Sequence, residues 1–566
     1  MQNLSRIGIT GLGVICAIGN NADEVLYSLK KGVSGIGPVR YLQTRHTEIP
    51  VGEVKLSNRE MADMLGLERD RLYSRTSLMG AISIRQALRQ TGIRSLAGKR
   101  VAVISGTTVG VMDLVENFRP QILRGEIPDN IPSGNECGHS TREMAEFAGI
   151  PQAQCCTIST ACSSALNSII TGCEMLQRDE ADIVIAGGSE ALSRFHLNGF
   201  NSLMILDKKR CRPFDATRAG LNLGEGAAFV VMQKNPTDAL SYVAGYGNRC
   251  DAFHQTASSE NGDGAFLAMS DALSMAGLRP EDIGYVNAHG TGTPDNDISE
   301  SRAIRRLFKD TVPPVSSTKA FTGHTTSASG SIEAVICILA IRHGFLPANL
   351  GWKNLIEGGI RPTNGKKGVA LKYAMCNSFG FGGNDSSIIL SGDEFGLQYA
   401  DGDFAVETLA DEKVCDVESF GQLKEYVSPM ESRRMGKLMK AAILSAFKAL
   451  KISGTECPDA IITGTSHGMQ ETGNRFLDDI IANGEELLSP TLFMQSTHNT
   501  IGSSIAIRTG CHGYNITYSQ GDDSLGWALK DAREKIQSGR ARTVLVGCYD
   551  ESSEGVDART LILGRK

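Results

Sequence analysis

The sequence predicts an α/β fold in which strands and helices alternate around a largely parallel sheet. The segments 100–110 and 181–195 each contain an apolar run that is followed by glycine. Each leads into a pattern with helical spacing. Strands that alternate with helices in this way favour parallel pairing. A parallel sheet with connecting helices is therefore the predicted architecture.

An internal repeat is the second observation behind this prediction. The repeated segments share their order of apolar runs, glycines and helical stretches at an offset of about 360 residues. They are 74–90 with 432–451, 101–110 with 459–468, and 181–191 with 541–551. An acidic stretch at 401–420 separates the two copies, and a linker is its simplest interpretation. The chain therefore carries a partial second copy of its first part.

Composition and charge exclude several classes of protein. The chain has 566 residues and a net charge of -6, so nothing at whole-chain level indicates binding to nucleic acid or to an anionic membrane. No apolar run reaches the roughly 18 residues that a membrane span needs, and the N-terminal segment lacks a signal-peptide cleavage site. The 14 cysteines form no C-x-x-C pair, which is typical of reduced thiols. A cytoplasmic protein is expected.

The segment TISTACSSALNSII, residues 157–170, places one cysteine directly ahead of a helical pattern. The apolar residues that follow at helical spacing are Ala165, Leu166, Ile169, Ile170, Cys173 and Leu176. A helix that begins near Cys162 would point its free backbone N–H groups at the sulfur, lower the pKa of the thiol and offer donors to an oxyanion. This segment alone leaves an inert buried cysteine as the alternative.

Two histidines on glycine-rich turns favour the catalytic interpretation. His289 follows an apolar strand pattern and precedes GTGT, which contains Thr291 and Thr293. His324 lies between a strand and turn pattern and a helical one, five residues after Lys319. A single histidine in such a place is more often structural, but two histidines and a lysine together indicate a site.

Six motifs in a fixed order carry a resemblance to a known enzyme family. They are RIGITGLGVICAIG, TACSSA, RPFDATRAGLNLGEGAA, NAHGTGTPDND, STKAFTGH and NSFGFGGND. With this ordered set, residues 5 to about 393 resemble the β-ketoacyl-acyl-carrier-protein synthases of the elongating (I/II) type. The resemblance implies a thiolase-like fold, which is a five-layered αβαβα arrangement of two similar halves.

The repeat adds a C-terminal partial third half of the same kind. The expected domains are an N-terminal half with the nucleophile at 1–235, a C-terminal half with both histidines at 236–395, an acidic linker at 396–424 and a truncated ketoacyl-synthase-like domain at 425–566. Counting back 25 residues from Gly187 reaches Cys162, and the same count from Gly547 reaches Asp522. An aspartate replaces the nucleophile, and no second set of histidine motifs follows. The third half is therefore interpreted as catalytically silent, and we expect it to pack on the synthase core or on a partner.

The resemblance implies a role for each candidate catalytic residue. Cys162 would be the acylated nucleophile. His289 and His324 would bind the malonyl thioester carbonyl, drive decarboxylation and stabilise the enolate as neutral imidazoles. Lys319 would orient His324 and would form an ion pair with Glu333.

The resemblance also implies the groups that surround the nucleophile. The backbone N–H groups of Cys162 and Phe381 would form the oxyanion hole, and Phe379 and Phe381 would gate the acyl pocket. Thr291 and Thr293 would hydrogen-bond the phosphopantetheine arm. Neither a metal ion nor a resident cofactor is expected, because the phosphopantetheine arrives on the acyl-carrier protein. The family commonly reads FGGTN where this chain has FGGND at 381–385.

The implied reaction is a decarboxylative Claisen condensation. An acyl group on Cys162 is joined to malonyl-acyl-carrier protein to give 3-oxoacyl-acyl-carrier protein and CO₂, in fatty acid or polyketide/aryl-polyene-type synthesis. The acyl-carrier protein is the expected partner, and a homodimer or a pairing with a related synthase subunit is expected. The acidic carrier would dock on a basic patch. The candidates are Lys208, Lys209, Arg210 and Arg212, with Arg71 and Arg75, and a solvated charged turn is the alternative.

Three other functions remain open on the sequence. A thiolase needs a second reactive cysteine in a late glycine-rich loop, and Cys376 lies just before that loop here. Short-chain-initiating synthases typically have asparagine at the position of His324. A non-catalytic partner, such as a chain-length-factor subunit, fits residues after 395 better than the first part, where the cysteine and both histidines are retained.

Overall fold

The structure of the protein, a computed structural model, describes residues 4–69, 71–126, 131, 136–398, 402–552 and 555–566. Within them the chain forms three units. The strands of the first unit are β1 (Leu4–Ser5), β2 (Ile7–Cys16), β3 (Val101–Gly106), β4 (Gln154–Ile158), β5 (Ile183–Glu190) and β6 (Gly226–Lys234). Its helices are α1 (Ala22–Lys31), α2 (Asn58–Leu65), α3 (Arg75–Gln90), α4 (Met112–Leu123), α5 (Cys137–Phe147), α6 (Ser164–Gln177) and α7 (Arg194–Ser202).

The second and third units follow in the chain. The second contains β7 (Ser241–Cys250), α8 (Asp263–Ala276), β8 (Tyr285–Asn287), α9 (Pro294–Phe308), β9 (Val315–Ser316), α10 (Lys319–Thr322), α11 (Ser329–His343), β10 (Phe345–Leu346), β11 (Lys366–Lys367), β12 (Tyr373–Gly380), β13 (Asn384–Ser391) and β14 (Leu397–Gln398). The third contains β15 (Val406–Val414), α12 (Pro429–Arg433), α13 (Lys437–Ser453), β16 (Ala460–Gly464), α14 (Gln470–Ala482), α15 (Pro490–Gln495), α16 (Thr500–Thr509), β17 (Tyr514–Tyr518), α17 (Ser524–Gln537), β18 (Thr543–Ser552) and β19 (Gly555–Arg565).

One sheet of 15 strands runs through all three units in the order β15-β19-β18-β16-β17-β4-β3-β5-β6-β2-β7-β13-β12-β8-β9. Each unit contributes three neighbouring parallel strands and two antiparallel ones, in the same order. The sheet is therefore mixed, and the prediction of a largely parallel sheet was wrong for the antiparallel strands. The antiparallel strands β2 and β6 are buried along nearly their whole length, so they carry the same continuous apolar runs as parallel strands.

The first two units form the five-layered αβαβα arrangement that the family resemblance implies. Helices α6 and α11 pack against each other between the two portions of sheet, while α3 and α8 cover the outer faces. Every residue of α6 is buried, because strands or helices lie on all sides of it. This central layer carries the turn on which Cys162 lies, as described below.

The third unit is a half without a matching second half among the described residues. Its helix α17 corresponds to α6, yet one side of α17 is exposed and polar, as at Lys530 and Arg533. The predicted acidic linker at 396–424 was wrong in part, because residues Val406–Val414 form β15, the first strand of this unit; residues 399–401 lie outside the described residues. β15 is an edge strand with exposed acidic side chains, and Asp411 pairs with Arg559 of β19 at 2.6 Å. Charged side chains protect a sheet edge from further pairing, and such a strand has the composition of a linker.

The third unit joins the first at the edge strand β4. Ile158 of β4 pairs with Tyr518 of β17 in antiparallel register. The N–H of Ser159 donates to the carbonyl of Thr517, and the N–H of Ser519 donates to that of Thr157, both at 2.9 Å. One hydrophobic cluster spans all three units. Among the described residues, none of the helices combines the length and the apolar character that crossing a membrane requires.

Candidate active site

Cys162 lies on a strained turn between β4 and α6. A 3₁₀ turn, Ala161–Ser163, precedes the helix, and Ala161 adopts a φ of 52°, which is uncommon for a residue with a Cβ atom. The carbonyl of Cys162 accepts a hydrogen bond of 2.9 Å from Ser378. The thiol is buried, and the backbone N–H groups of Cys162 and Phe381 point at its sulfur. The turn thus holds the sulfur against two fixed donors.

The structure brings both predicted histidines to this sulfur. Nε2 of His324 lies 3.1 Å from Sγ of Cys162, and the His289 and His324 rings are 5.3 Å apart at an angle of 84°. His289 follows β8, and His324 follows the short helix α10. Residues from two units, 162 positions apart in the chain, therefore share one site.

Lys319 contacts a different histidine from the one that the sequence predicts. Its Nζ lies 3.4 Å from Nδ1 of His289 and 2.6 Å from Oε1 of Glu333, so the ion pair with Glu333 is present but Lys319 does not orient His324. The contact of His324 is with Ser329, whose hydroxyl lies 2.9 Å from Nδ1. An ammonium group only donates, so Nδ1 of His289 accepts and its Nε2 carries the hydrogen.

Glu300 is a functional residue that the sequence reasoning missed. Its carboxylate accepts the backbone N–H of His289 at 2.9 Å and that of Gly290 at 2.8 Å, which fixes the turn that carries the histidine. Burial raises the pKa of Glu300 to about 7, although the two N–H donors oppose the rise. The sequence did contain a signal for Glu300. It is one of the acidic residues that follow HGTGT, and these lie in the first two turns of α9.

Burial decides the protonation states of the site. It raises the pKa of the Cys162 thiol to about 12, although Lys319 and the N–H groups of Phe381 and Cys162 oppose it. The expectation of a lowered thiol pKa was therefore wrong, because loss of water outweighs the donors at the turn. Burial, followed by the charge of Lys319, holds the pKa of His289 and of His324 well below 6.5. Both imidazoles are neutral at pH 7.

The site opens into a cavity of about 360 Å³. Cys162 and both histidines line it, together with Thr291, Thr293, Phe379 and Phe381. The hydroxyls of Thr291 and Thr293 lie 2.9 Å apart. Phe379 lies 5.9 Å from the ring of His289, and Phe381 stacks on Phe200 at 5.7 Å. Lys319 and Glu333 are buried behind His289 rather than in the cavity.

Within the part of the chain that the structure describes, two groups of side chains have the spacing of metal ligands. The ligand atoms of Cys162, His289 and His324 lie within 4.8 Å of one another, as do those of Glu174, Asp531 and Glu534. The three carboxylates surround Lys535, whose Nζ lies 2.6 Å from Glu174 and 3.4 Å from Asp531. An ammonium ion thus already neutralises the acidic group, whereas the first group coincides with the candidate catalytic centre.

The other two candidate positions from the sequence, Cys376 and Asp522, do not lie beside Cys162 in the cavity. Cys376 is buried on β12 with its sulfur 3.8 Å from the carbonyl of Gly330 and does not line the cavity, which argues against a thiolase. In the third unit, Asp522 lies in the 3₁₀ turn Gly521–Asp523, where the first unit has Cys162. Its side chain is exposed.

The predicted docking patch is only partly available. Lys208, Lys209 and Arg210 are exposed, while Arg212 forms an ion pair of 2.6 Å with Asp207. Arg75 was a wrong candidate, since it is buried and paired with Glu225 at 2.7 Å. Arg71 is exposed, and its guanidinium group lies over the rings of Tyr73 and Phe147.

Family models match three segments of the chain. The beta-ketoacyl synthase N-terminal domain matches residues 4–237 and the C-terminal domain matches residues 240–353. A second model of the beta-ketoacyl synthase N-terminal domain matches residues 416–556. These segments fall on the first, second and third units respectively.

Curated relatives and solved structures agree with these matches. The chain is 32% identical over 414 residues to a 3-oxoacyl-[acyl-carrier-protein] synthase 2 of Vibrio cholerae serotype O1, covering 68% of this chain and 98% of that protein. It is 31% identical over 417 residues to the protein of the same name from Staphylococcus aureus strain COL, covering 69% and 99%. A ketosynthase solved in complex with its chain length factor from Xenorhabdus doucetiae is 32% identical, with a TM-score of 0.60 and coverage of 68% and 98%.

One further solved structure matches nearly the whole chain. A keto synthase–chain length factor, PfaC, covers 99% of this chain and 78% of its own length with a TM-score of 0.79. Its identity of 16% makes this a likeness of fold alone. With two models on its first two units, a third on its last, and relatives matched over nearly their full length, this chain belongs to the beta-ketoacyl synthase family.

Proposed function

We propose that the protein catalyses decarboxylative Claisen condensation of an acyl group on Cys162 with malonyl-acyl-carrier protein, which yields 3-oxoacyl-acyl-carrier protein and CO₂. The contact of 3.1 Å between Sγ of Cys162 and Nε2 of His324 carries this proposal. Beside it lie a second neutral imidazole and two backbone donors that face the sulfur. This set suits a reaction that makes a thioester on sulfur and then an enolate next to it.

The first step transfers the acyl group to the enzyme. The Cys162 sulfur attacks the acyl thioester, the thiol proton moves to Nε2 of His324, and the bond to the carrier thiol breaks. That proton then passes to the leaving thiolate. Because burial raises the pKa of the thiol to about 12, a base in contact with it is needed. The N–H groups of Cys162 and Phe381 hold the oxyanion of the tetrahedral intermediate.

The second step makes and uses the carbon nucleophile. The bond between the malonyl carboxylate and the α-carbon breaks, CO₂ leaves, and the electron pair forms an enolate whose oxygen accepts hydrogen bonds from Nε2–H of His289 and of His324. The α-carbon then attacks the acyl thioester, and the Cys162 thiolate leaves and takes a proton from water. Nε2 of His324 must be unprotonated to accept the thiol proton in acyl transfer, and it must carry a hydrogen to donate to the enolate in decarboxylation. The Ser329 hydroxyl at its Nδ1 can accept or donate, so it supports both tautomers.

The wider proposal concerns partners and setting. The acyl-carrier protein brings the phosphopantetheine arm, which Thr291 and Thr293 bind at the cavity, and docks on exposed Lys208, Lys209 and Arg210. Catalysis uses no metal ion or resident cofactor. The free state of all 14 cysteines supports a cytoplasmic location. The product belongs to fatty acid or polyketide-type synthesis.

The third unit takes the part that a chain length factor plays beside a ketosynthase. Solved relatives are described as ketosynthases with chain length factors, and here β17 occupies the edge of β4 from within the same chain. A second copy of the protein cannot pair at that edge. The paired subunit is therefore supplied by residues 406–565.

Intact-protein mass spectrometry tests the proposed reaction. Acyl-carrier protein that bears acyl chains of several lengths should add one acyl mass to the wild type and none to Cys162→Ala. Subsequent malonyl-carrier protein should remove that mass with release of CO₂. Dialysis against a chelator should leave both steps unchanged. Absence of acylation with every chain, in protein whose fold is intact by circular dichroism, would reject the synthase assignment.

A further inference from the structure

The loop between β12 and β13 holds one donor of the oxyanion hole, and the third unit supports this loop. Phe381 directs its N–H at the Cys162 sulfur. The following residues Gly382 and Gly383 have φ values of 84° and 77°, which favour glycine and give the loop its sharp turn. Gly382 donates its N–H to the carbonyl of Gln255 at 2.7 Å. The position of the Phe381 N–H therefore depends on what fixes the other side of this turn.

Asn499, directly ahead of α16, supplies that contact. Its amide nitrogen donates to the carbonyl of Phe381 at 2.8 Å and to Oδ1 of Asn384 at 2.7 Å. One NH₂ group thus holds both ends of the loop. Asn499 is 1% exposed, so water does not compete for these hydrogens.

The orientation of the Asn499 amide is fixed by its partners. A carbonyl oxygen only accepts, so the nitrogen must face Phe381. Asn384 in turn donates its own nitrogen to the carbonyl of Asn515 on β17 at 3.0 Å, which leaves its oxygen for Asn499. The oxygen of Asn499 has no hydrogen-bond partner among the described residues and is buried. A buried oxygen without a partner costs free energy, so the two hydrogen bonds from the nitrogen are what Asn499 contributes here.

The contact is also tight. A Cβ atom on Gly382 would lie 2.1 Å from Oγ of Ser503 and 2.9 Å from the amide nitrogen of Asn499. Asn384 lies within the segment FGGND, which departs from the common family sequence. Both its side-chain oxygen and its side-chain nitrogen form hydrogen bonds with the third unit, to Asn499 and Asn515 respectively. The loop and the third unit are therefore matched to each other.

We infer that Asn499 is a positioning residue for the oxyanion hole, so that the catalytically silent third unit sets the geometry of the active loop. This inference rests on the proposed function. The inference predicts that a change at Asn499 affects one activity of the site and leaves the other unchanged. Acyl transfer to Cys162 uses the Phe381 N–H, whereas decarboxylation of malonyl-carrier protein uses the donors of His289 and His324, which Asn499 does not touch.

The test compares these two activities in the full-length protein. We expect Asn499→Ala to slow acylation of Cys162 by about 10- to 100-fold, with the KM for acyl-carrier protein and the rate of CO₂ release from malonyl-carrier protein without acyl donor within about twofold of wild type. Asn499→Asp should slow acylation further, because a carboxylate would face two acceptors. Asn483→Ala, an exposed asparagine of the same unit, is the matched control and should change neither rate.

If Asn499→Ala does not fold, a second variant tests the same inference. Asn384→Ala removes one acceptor of the same amide and should show the same split between acylation and decarboxylation. Acylation that stays within about twofold of wild type, or an equal fall of both activities, would overturn the inference. A wild-type protein that shows neither activity would instead reject the proposed function itself.

Discussion

Ile158 in β4 and Tyr518 in β17 face each other at the junction of the first and third units. In chain order, each strand is the third of the five strands that its unit contributes to the large sheet, and each leads into a 3₁₀ turn and a long helix. The hydrogen bonds on either side, Ser159 to Thr517 and Ser519 to Thr157, are related by a local two-fold axis. A repeated unit thus binds its own twin through an edge that would otherwise be open to other strands.

The charges at this junction do not share the symmetry of the backbone. Glu174 in α6 and Glu534 in α17 occupy equivalent positions, but Lys535 follows Glu534 where Met175 follows Glu174. The Glu174 carboxylate accepts from Lys535 and from Arg540, both at 2.6 Å. A second copy of the first unit would offer methionine in place of that lysine. The junction therefore favours the fused unit over another copy.

Removal of Lys535 should destabilise the protein strongly. Lys535→Met leaves a buried Glu174 carboxylate with less compensation, and we expect a loss of about 3 kcal/mol in the free energy of unfolding, measured by urea denaturation. The double variant Glu174→Gln/Lys535→Met should recover part of this loss, because Asp531 and Glu534 still lack the ammonium group. A single variant within about 0.5 kcal/mol of wild type, the range of neutral surface changes, would show that the pair does not hold the junction.

The reactivity of Cys162 should rise steadily with pH. Burial raises its thiol pKa to about 12, so the thiolate fraction grows about tenfold per pH unit over the range from 7 to 10. Alkylation by iodoacetamide, followed at the Cys162 peptide by mass spectrometry, should show that slope without a plateau. The exposed Cys457 provides an internal comparison. A plateau for Cys162 below pH 8 would mean that the donors at the turn outweigh burial.

Much of the site could be predicted because its residues lie in short glycine-rich motifs. Cys162, His289 and His324 lie in motifs whose order resembles that of the β-ketoacyl synthases, and this resemblance predicted that they share one site. The partner of Lys319 could not be predicted, because the residue is near His324 in sequence while the side chain extends to His289 in space. The raised thiol pKa was missed for a similar reason, since burial is a property of the packed units.

The third unit was predicted as a repeat, but its contribution to the site was not. Asn499 lies in a segment without a chemical motif, more than 100 positions from the loop that it supports. Its role becomes visible only when β17 pairs with β4 and places α16 against Phe381 and Gly382. The strand β15 was taken for a linker because a charged edge strand and a solvated linker have the same composition.

Lys319 should matter for decarboxylation more than for acylation. Its ammonium fixes the tautomer of His289 by direct contact, while it acts on Cys162 and His324 only through its charge. We expect Lys319→Met to lower CO₂ release from malonyl-carrier protein by at least about tenfold and to change acylation of Cys162 much less. This split is the reverse of that expected for Asn499→Ala.

The buried partner of Lys319 requires a control. Lys319→Met leaves Glu333 as an unpaired buried carboxyl group, so Lys319→Met/Glu333→Leu should restore thermal stability without restoring decarboxylation. Recovery of decarboxylation in the double variant would show that Lys319 only neutralises Glu333.

Phe493 should limit the length of the acyl chain. Its ring belongs to the third unit and packs 5.4 Å from Phe200, which lines the cavity and lies 6.4 Å from His324. A Cβ atom on Gly199 would lie 2.2 Å from this ring, so Phe493 fills the space behind Phe200. We expect Phe493→Ala to shift the acyl chains accepted by Cys162 toward longer ones, at a cost of about 3 to 5 kcal/mol in stability.

Phe476→Ala is the matched control for this effect. Phe476 contacts Phe195 at 5.2 Å and Phe493 at 5.7 Å but no ring of the cavity, so its loss should reduce stability similarly while the preferred chain length stays the same. Competition between carriers that bear acyl chains of graded length, read by mass spectrometry of the acylated protein, measures the preference directly. If both variants shift it equally, general loosening of the aromatic cluster is the cause; if only Phe493→Ala shifts it, the third unit sets the depth of the acyl pocket.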